Sequence, residues 1–420
     1  MRKITIVLFN LLISLVTFAQ EMELTPVEEL QKKTETLESE LTKQKKLKVS
    51  GYIQTQYQYG EKDASLKVGI ANENPEESFN RIGIRRGRIK FTYEEGIAFG
   101  VFQLDLTEKG MGIKDAYLDV KDPWMNSLHF KAGVFDRPFG NEISYSSSRR
   151  ESPERSTLFQ TLFPEERDLG AALVLQAPKT PLWSILKLEA GLFAGNGIKP
   201  ETDSRKDFIG HLSLAKILGS EIAFGAGASY YNGGVYQGTE KVFTMDGKGF
   251  VLNADASNKG KYAKREYIGL DAQFSLINSV TGATQLRTEY LFGQQPGVAG
   301  NSKSPNAATL PTADTYIRNF TGGYVIFVQD IGNLPLSAVL KYDWYDPNTK
   351  VSGNEIGENG TSKADLSYNT FGFGALWRIN NNLRLQAFYE IVSNETTANI
   401  TSMNGDLKDN LFTLRLQYKF

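Results

Sequence analysis

Hydrophobic and polar residues alternate one by one along most of the chain, as in β-strands with one apolar and one polar face. The clearest case is the C-terminal stretch LFTLRLQYKF, residues 411–420. It places five apolar residues on one face and Thr413, Arg415, Gln417 and Lys419 on the other. In a soluble β-sandwich the apolar face would be buried, whereas in an outer-membrane barrel it faces lipid and the polar face lines water.

The alternation predicts sixteen strands, many of them near the length that a tilted membrane strand needs. They cover residues 49–59, 81–93, 97–107, 112–121, 126–136, 168–177, 184–194, 206–217, 221–232, 265–277, 282–294, 316–330, 335–346, 366–379, 382–394 and 409–420. Connections after the even-numbered segments are short, and those after the odd-numbered segments are mostly long and polar, with a tight exception near Glu108 to Met111. Outer-membrane barrels have this arrangement. The predicted fold is therefore all-β, a 16-stranded antiparallel transmembrane β-barrel over residues 49–420.

The first 48 residues do not share this pattern. Arg2 and Lys3 precede an apolar run that is too short to span a bilayer and that ends near Ala19, which predicts a signal peptide at residues 1–19. A retained N-terminal anchor is the alternative. Residues 20–48 carry apolar positions at spacings of three and four, which predicts a short periplasmic coiled-coil helix before the barrel. A solvated helical linker is the alternative there.

The composition removes several function classes. With 47 basic and 48 acidic residues the formal net charge is −1, so there is no basic excess of the kind that nucleic-acid binders carry. The chain has no cysteine and two histidines, which argues against thiol chemistry and against a histidine-rich metal site. His129 has no matching serine and acid constellation. We therefore expect no enzyme activity, no metal and no cofactor.

The polar insertion at residues 137–167 is too long for a simple hairpin and carries many charges of both signs. A sixteen-strand barrel is wide enough for a water-filled channel, so sorting of solutes requires something to narrow it. An inward-folded loop would do so and would place its charges where the field is focused. The constriction candidates are Arg149, Arg150, Glu151, Glu154, Arg155 and Arg167. The alternative is a solvated surface loop in which Arg149 and Arg150 pair with Glu151 and Glu154.

Strand parity also predicts which charged residues face the lumen. The basic pore-lining candidates are Arg88, Lys90, Lys131, Arg287, Lys341, Arg384, Arg415 and Lys419. Acidic residues are interleaved with them: Asp115, Asp119, Glu189, Asp271, Glu289, Asp343 and Glu390. The phase of the alternation slips near Arg85, Arg86 and Gly87, as a β-bulge would make it. Because facing carboxylates lower the local positive potential, the parity predicts only a mild anion preference.

Three motifs at the insertion carry a resemblance to a known family. AGVFDRPFGNE, PERS and PEERDLG follow the fifth strand in that order, and the chain here resembles the phosphate-selective porin O and P group. The resemblance extends from about residue 49 to the C-terminus. It implies a trimeric sixteen-strand porin whose third loop folds into the channel, with basic residues that attract anions such as phosphate. It also implies that Pro138, Phe139 and Gly140 turn the loop inward, and that Arg155 and Arg167 anchor or constrict it.

The predicted function is passive diffusion of small hydrophilic solutes through an outer-membrane porin. The inward loop is expected to set a mild preference for anions, with phosphate as one candidate. The expected partners are outer-membrane lipid, small hydrophilic or anionic solutes and two further copies in a homotrimer, in the outer membrane of a Gram-negative bacterium. One alternative is a non-conducting barrel that binds a partner or tethers the envelope. Another is a soluble secreted β protein, which would stay in the aqueous phase without detergent.

Overall fold

The computed structural model describes Lys33, residues 46–177 and residues 183–420, and the strands among these residues form one closed β-sheet. The predicted signal peptide and most of the predicted coiled-coil helix lie outside the described residues. The strands are β1 (Leu47–Gly60), β2 (Phe79–Glu95), β3 (Ala98–Thr107), β4 (Gly110–Lys121), β5 (Leu128–Asp136), β6 (Arg167–Gln176), β7 (Leu186–Phe193), β8 (Asp207–Leu218), β9 (Ile222–Tyr236), β10 (Lys241–Asp246), β11 (Gly249–Ala254), β12 (Tyr262–Asn278), β13 (Gly282–Gly297), β14 (Thr315–Asp330), β15 (Leu336–Asp346), β16 (Tyr368–Arg378), β17 (Leu383–Asn394) and β18 (Leu411–Lys419).

Sixteen of these strands form an antiparallel barrel, which confirms the predicted fold. Each barrel strand pairs with the next along the chain, β9 pairs with β12, and the last strand pairs with the first. The closing register runs from Tyr52 opposite Lys419 to Gly60 opposite Leu411. Gly51 and Phe420 exchange both backbone hydrogen bonds, at 2.9 and 3.0 Å. Closure leaves the barrel without an unpaired edge, so each of its sixteen strands has a backbone partner on both sides.

Strands β10 and β11 form a hairpin outside the barrel, where the sequence predicts only a long loop at residues 233–264. The hairpin turns at Gly247, which has a φ of +56°. It also adds to the barrel, because Val242–Thr244 pairs in parallel with Thr315–Ile317 at the start of β14. Phe243 stacks on Tyr316 with ring centroids 4.3 Å apart. β14 therefore extends past the end of its pairing with β15 and supports the hairpin there, a long-range pairing that local alternation does not reveal.

The two ends and two faces of the barrel differ. Connections at the end that holds both barrel termini are short turns, whereas those at the opposite end are long, apart from the tight turn between β3 and β4. On β18 the apolar Leu414, Leu416 and Tyr418 are exposed on the outer face, while Thr413 and Arg415 are buried on the inner face. The inner face is therefore the polar one, as expected of a membrane barrel. Among the described residues, no helix is long and apolar enough to cross a bilayer.

Candidate functional site: the inward loop and the passage beside it

The chain leaves β5 through a buried turn that sends residues 137–166 into the lumen. The Arg137 Nε lies 3.4 Å from the Asp168 carboxylate, and neither side chain is exposed. Phe139 is buried, and the Gly140 amide donates to Ser229 Oγ on β9 at 2.9 Å. Gly140 has a φ of +61°, and a Cβ there would lie 2.0 Å from a Glu289 carboxylate oxygen. Glycine suits this position both because it tolerates left-handed backbone and because it leaves room for that carboxylate.

The loop packs on one wall of the lumen through an apolar underside. Its short helix α1 (Thr157–Leu162) buries Leu158, Phe159 and Leu162. With Phe139 and Phe163 they join one cluster of buried side chains from the barrel wall, which includes Phe193, Tyr231, Tyr267, Phe320, Tyr324 and Tyr345. Burial of each large apolar side chain contributes about 1.5–3 kcal/mol to stability. The loop is therefore a packed part of the barrel interior on the β7–β15 side.

Acidic residues of that same wall bind the loop backbone. The Asp343 Oδ1 on β15 accepts a hydrogen bond from the Thr157 amide at 3.0 Å. The Glu289 carboxylate on β13 accepts from the Glu142 amide and from the Tyr324 hydroxyl. Two of the acids that the sequence interleaves with the lumen bases thus hold the loop in place.

Strands β1, β17 and β18 bind the middle of the loop through its carbonyl groups. Arg384 donates to Arg150 O at 3.1 Å, Arg415 donates to Pro153 O at 2.7 Å, and Gln54 donates to Ser147 O at 3.0 Å. These donors come from strands at the barrel closure, away from the β7–β15 side. The loop consequently crosses the lumen and is attached at both sides.

Glu154 is the most heavily paired acid of the loop. Its carboxylate lies 2.8 Å from nitrogen atoms of Arg85, Arg86 and Arg415. Burial alone would raise the pKa of Glu154, but the three guanidinium groups outweigh it and hold that pKa well below its usual range. Arg85 and Arg86 are consecutive residues that reach one carboxylate. They can do so because the alternation of exposed and buried residues on β2 shifts phase between Ile84 and Phe91, as the sequence predicts.

A register shift on the neighbouring wall likewise turns two consecutive side chains toward the loop. The pairing of β3 with β4 skips one residue, so that Lys114 and Asp115 are both buried toward the lumen. Lys114 donates to the Glu166 carboxylate at 2.6 Å, and Arg167 Nε lies 2.9 Å from Asp115 Oδ1. Arg155 forms a further ion pair with Glu166. Together these pairs attach the end of the loop to β4.

Two cavities lie between the loop and the β2–β5 wall. The lower cavity, at the short-turn end, has a volume of about 430 Å³ and is lined by Lys90, Arg149, Arg167 and Lys419 among others. The upper cavity, at the long-loop end, is lined by Arg85, Arg86, Lys109, Lys114 and Lys199 among others. Arg88 and Arg155 line both cavities. The two spaces therefore meet at this pair of guanidinium groups.

The charge lining these cavities is predominantly basic. The lower cavity is lined by six basic and two acidic side chains, and the upper by seven basic and four acidic ones. Lys90, Arg149 and Lys419 form no ion pair with another described residue, so their charge is uncompensated. The barrel thus separates its charges: acids such as Glu289 and Asp343 lie beneath the loop, and the surplus of bases faces the open space.

The structure divides the predicted site residues between these two settings. Those that line a cavity are Arg88, Lys90, Arg149, Glu154, Arg155, Arg167 and Lys419. Those that line neither cavity are Lys131, Arg150, Glu151, Arg287, Lys341, Arg384 and Arg415. Most of the second set face the lumen but are covered by the loop, since Arg287 pairs with Glu151 and Lys341 with Asp343. Lys131 lies over the Tyr117 and Phe135 rings, 4.5 Å from each centroid, near Asp136.

Sequence reasoning passed over two features of the site. Arg85, Arg86 and Lys114 contact the loop only because of the local shifts in β2 and β4. The apolar underside had a visible signal, because Leu158, Phe159, Leu162 and Phe163 recur at the spacing of one helical face. Among the described residues, no group of three histidine, aspartate or glutamate side chains is placed to hold a metal ion.

A closed sixteen-strand barrel with a polar lumen and an inward-folded loop is the fold of outer-membrane channel proteins. Three solved structures are similar to it over 89% of this chain. OmpT of Vibrio cholerae in its trimer form has a TM-score of 0.51 at 11% identity, over 99% of that chain. The outer membrane channel DcaP of Acinetobacter baumannii has a TM-score of 0.51 at 14% identity, and Salmonella typhi OmpF in complex with daunomycin one of 0.55 at 13% identity, each over 97% of that chain. At these identities the similarity is one of fold. No family model and no curated protein matches the chain. The resemblance to the phosphate-selective group therefore stays a prediction.

Proposed function

We propose that this protein is an outer-membrane porin through which small hydrophilic solutes diffuse passively along one passage. The observation that carries the proposal is the pair of cavities that meet at Arg88 and Arg155, between the loop and the β2–β5 wall. The loop and its aromatic cluster occupy the β7–β15 side of the lumen. A solute that crosses the barrel would pass these two guanidinium groups. The solved channels with the same fold support this reading.

The passage would favour anions. Fixed bases on one wall of a narrow, low-dielectric space raise the local concentration of anions and lower that of cations. In the lower cavity Lys90, Arg149 and Lys419 contribute most, because no described acid pairs with them. Most of the other basic side chains there are already in ion pairs, so the preference would be mild. Phosphate, which the family resemblance suggests, is one of the small anions that this lining suits.

The porin would lie in the outer membrane of a Gram-negative bacterium, with the long loops outside the cell and the short turns in the periplasm. The apolar outer face, with exposed residues such as Leu188, Leu212, Leu270 and Leu340, supports contact with lipid. We further propose a homotrimer. An apolar outer-face cavity lined by Phe91, Tyr93, Phe102 and Leu118 lies on β2–β4, nearer the β2–β3 turn than the β3–β4 turn, and supports a protein contact there.

Recording from the purified protein in planar lipid bilayers tests the proposal. We expect discrete conductance steps, and in a potassium chloride gradient we expect a zero-current potential whose sign corresponds to anion preference. Absence of steps from correctly folded protein would favour the alternative of a non-conducting barrel that acts as a binding or tethering platform. Steps with a clear cation preference would retain the porin but remove the role given to the basic lining.

A further inference from the structure

Arg150 lies in the middle of the inward loop and has no partner for its charge. The residue is 3% exposed, and its Nε, Nη1 and Nη2 atoms are buried without any hydrogen-bond acceptor. Its backbone is held at both ends: the amide donates to Ser146 O at 3.1 Å and the carbonyl accepts from Arg384 at 3.1 Å. The side chain therefore has little freedom to turn toward water. Removing an unpaired charge from water costs several kcal/mol unless something compensates it.

The nearby carboxylates of the loop are committed to other groups. Glu142 accepts hydrogen bonds from the Ser156 amide at 3.0 Å and from the Ser156 hydroxyl at 2.7 Å. Glu151 pairs with Arg287 and accepts from the Tyr145 hydroxyl. Glu154 is shared by three arginines. Burial, together with the positive charges of Arg155 and Arg86, lowers the pKa of Arg150 well below its usual range, and the carboxylates of Glu154 and Glu142 only partly offset this.

A small cavity adjoins Arg150. Three cationic side chains line it, Arg150, Arg287 and Lys341. The hydroxyl groups of Tyr145, Ser152 and Tyr324 line it too but donate to other oxygen atoms, and Asn141, Glu142 and Ile326 complete the wall. It has room for one particle about the size of a water molecule. A phosphate or a sulfate ion is too large for this space. A monatomic anion such as chloride is only slightly larger than a water molecule, so small side-chain shifts admit it, and its charge matches the unpaired guanidinium.

We infer that this cavity is a binding site for a halide ion, chloride under physiological conditions, held by Arg150 as a fixed counter-ion beneath the inward loop. The ion neutralises a buried loop arginine that no described residue pairs with, and it stabilises the loop against both walls. This site lies off the passage. Halide binding at this site does not depend on conduction through the barrel, so it can be tested separately from the proposed porin function.

Crystals grown in sodium bromide give a direct test, because bromide scatters anomalously and water does not. We expect one anomalous peak in the cavity within hydrogen-bond distance of the Arg150 guanidinium in wild-type protein. A water molecule there with no anomalous signal would overturn the inference. Bromide found only at exposed lysines would also count against it, as adventitious binding.

Thermal unfolding provides a second readout with a matched control. At constant ionic strength, replacing gluconate by chloride should raise the unfolding temperature of wild-type protein, and each tenfold increase in chloride should raise it further. Arg150→Met should lose this dependence, whereas Arg149→Met, the neighbouring change in the lower cavity, should retain it. The same chloride dependence in all three proteins would refute the site. If Arg150→Met does not fold, the bromide experiment on wild-type protein decides.

Discussion

Arg415 on the last barrel strand donates to Glu154 of the inward loop at 2.8 Å, although the two residues are 261 positions apart in the chain. The same arginine donates to Pro153 O and to Gln56 on the first strand. One side chain therefore joins both strands of the barrel closure to the loop that narrows the lumen. The position and the width of the passage depend on this attachment, since Glu154 and Arg155 are adjacent in the chain.

Replacing Glu154 by Gln should loosen the loop. The change removes the negative charge that Arg85, Arg86 and Arg415 share, and leaving buried charges without a partner costs about 3–5 kcal/mol. We expect a lower unfolding temperature and larger, noisier single-channel conductance. Glu165→Gln is the control, because Glu165 lies in the same loop but is exposed. Equal behaviour of the two variants would show that Glu154 does not anchor the loop.

Replacing Gly140 by Ala should disturb the turn into the lumen. A Cβ at this position would strike the Glu289 carboxylate, and the positive φ adds backbone strain of about 1–3 kcal/mol. We expect reduced thermal stability and easier proteolytic cleavage within residues 137–166. Gly300→Ala is the control, since a Cβ there meets no atom within 4 Å. A Gly140→Ala protein as stable and as resistant as the control would argue against the turn as described.

Cysteine modification can locate the passage, because the native chain has no cysteine. Ser144 is an exposed residue of the lower cavity, whereas Ser152, in the same loop, is 1% exposed. An anionic thiosulfonate reagent should therefore reduce the conductance of Ser144→Cys and leave that of Ser152→Cys unchanged. Rapid block of Ser152→Cys, or no effect on Ser144→Cys, would place the open path elsewhere.

The barrel could be predicted from sequence because its signals are local. Strand alternation, the phase shift near Arg86 and the regular order of short and long connections are each visible within a few residues. The outer hairpin could not, because β10 is stabilised by pairing with β14, about seventy residues further along the chain. Local propensity does not report such contacts.

The lining of the passage was harder to predict than the fold. Parity identifies lumen-facing residues, but it does not show which of them the loop will cover. Arg149 and Arg150 are neighbours of identical chemistry, yet Arg149 lies exposed over the Tyr145 ring in the lower cavity while Arg150 is buried beneath the loop. The interleaving of acids and bases along the strands likewise gave no sign that Glu289 and Asp343 would bind the loop backbone.

The central claim is that solutes pass between the loop and the β2–β5 wall, beside uncompensated bases. The zero-current potential in a potassium chloride gradient tests it most directly. It is measured for wild-type protein and for two double variants. One is Lys90→Gln/Arg149→Gln in the lower cavity, and the other is Lys264→Gln/Lys350→Gln beside a cavity of the outer face. Both double variants remove the same total charge. Measurements near 0.1 M salt, where screening extends over about 10 Å, keep local charges visible. We predict anion preference in wild-type protein, a clear reduction in the lower-cavity variant and no change in the outer-face variant. Cation preference in wild-type protein, or equal shifts in the two variants, would contradict the account.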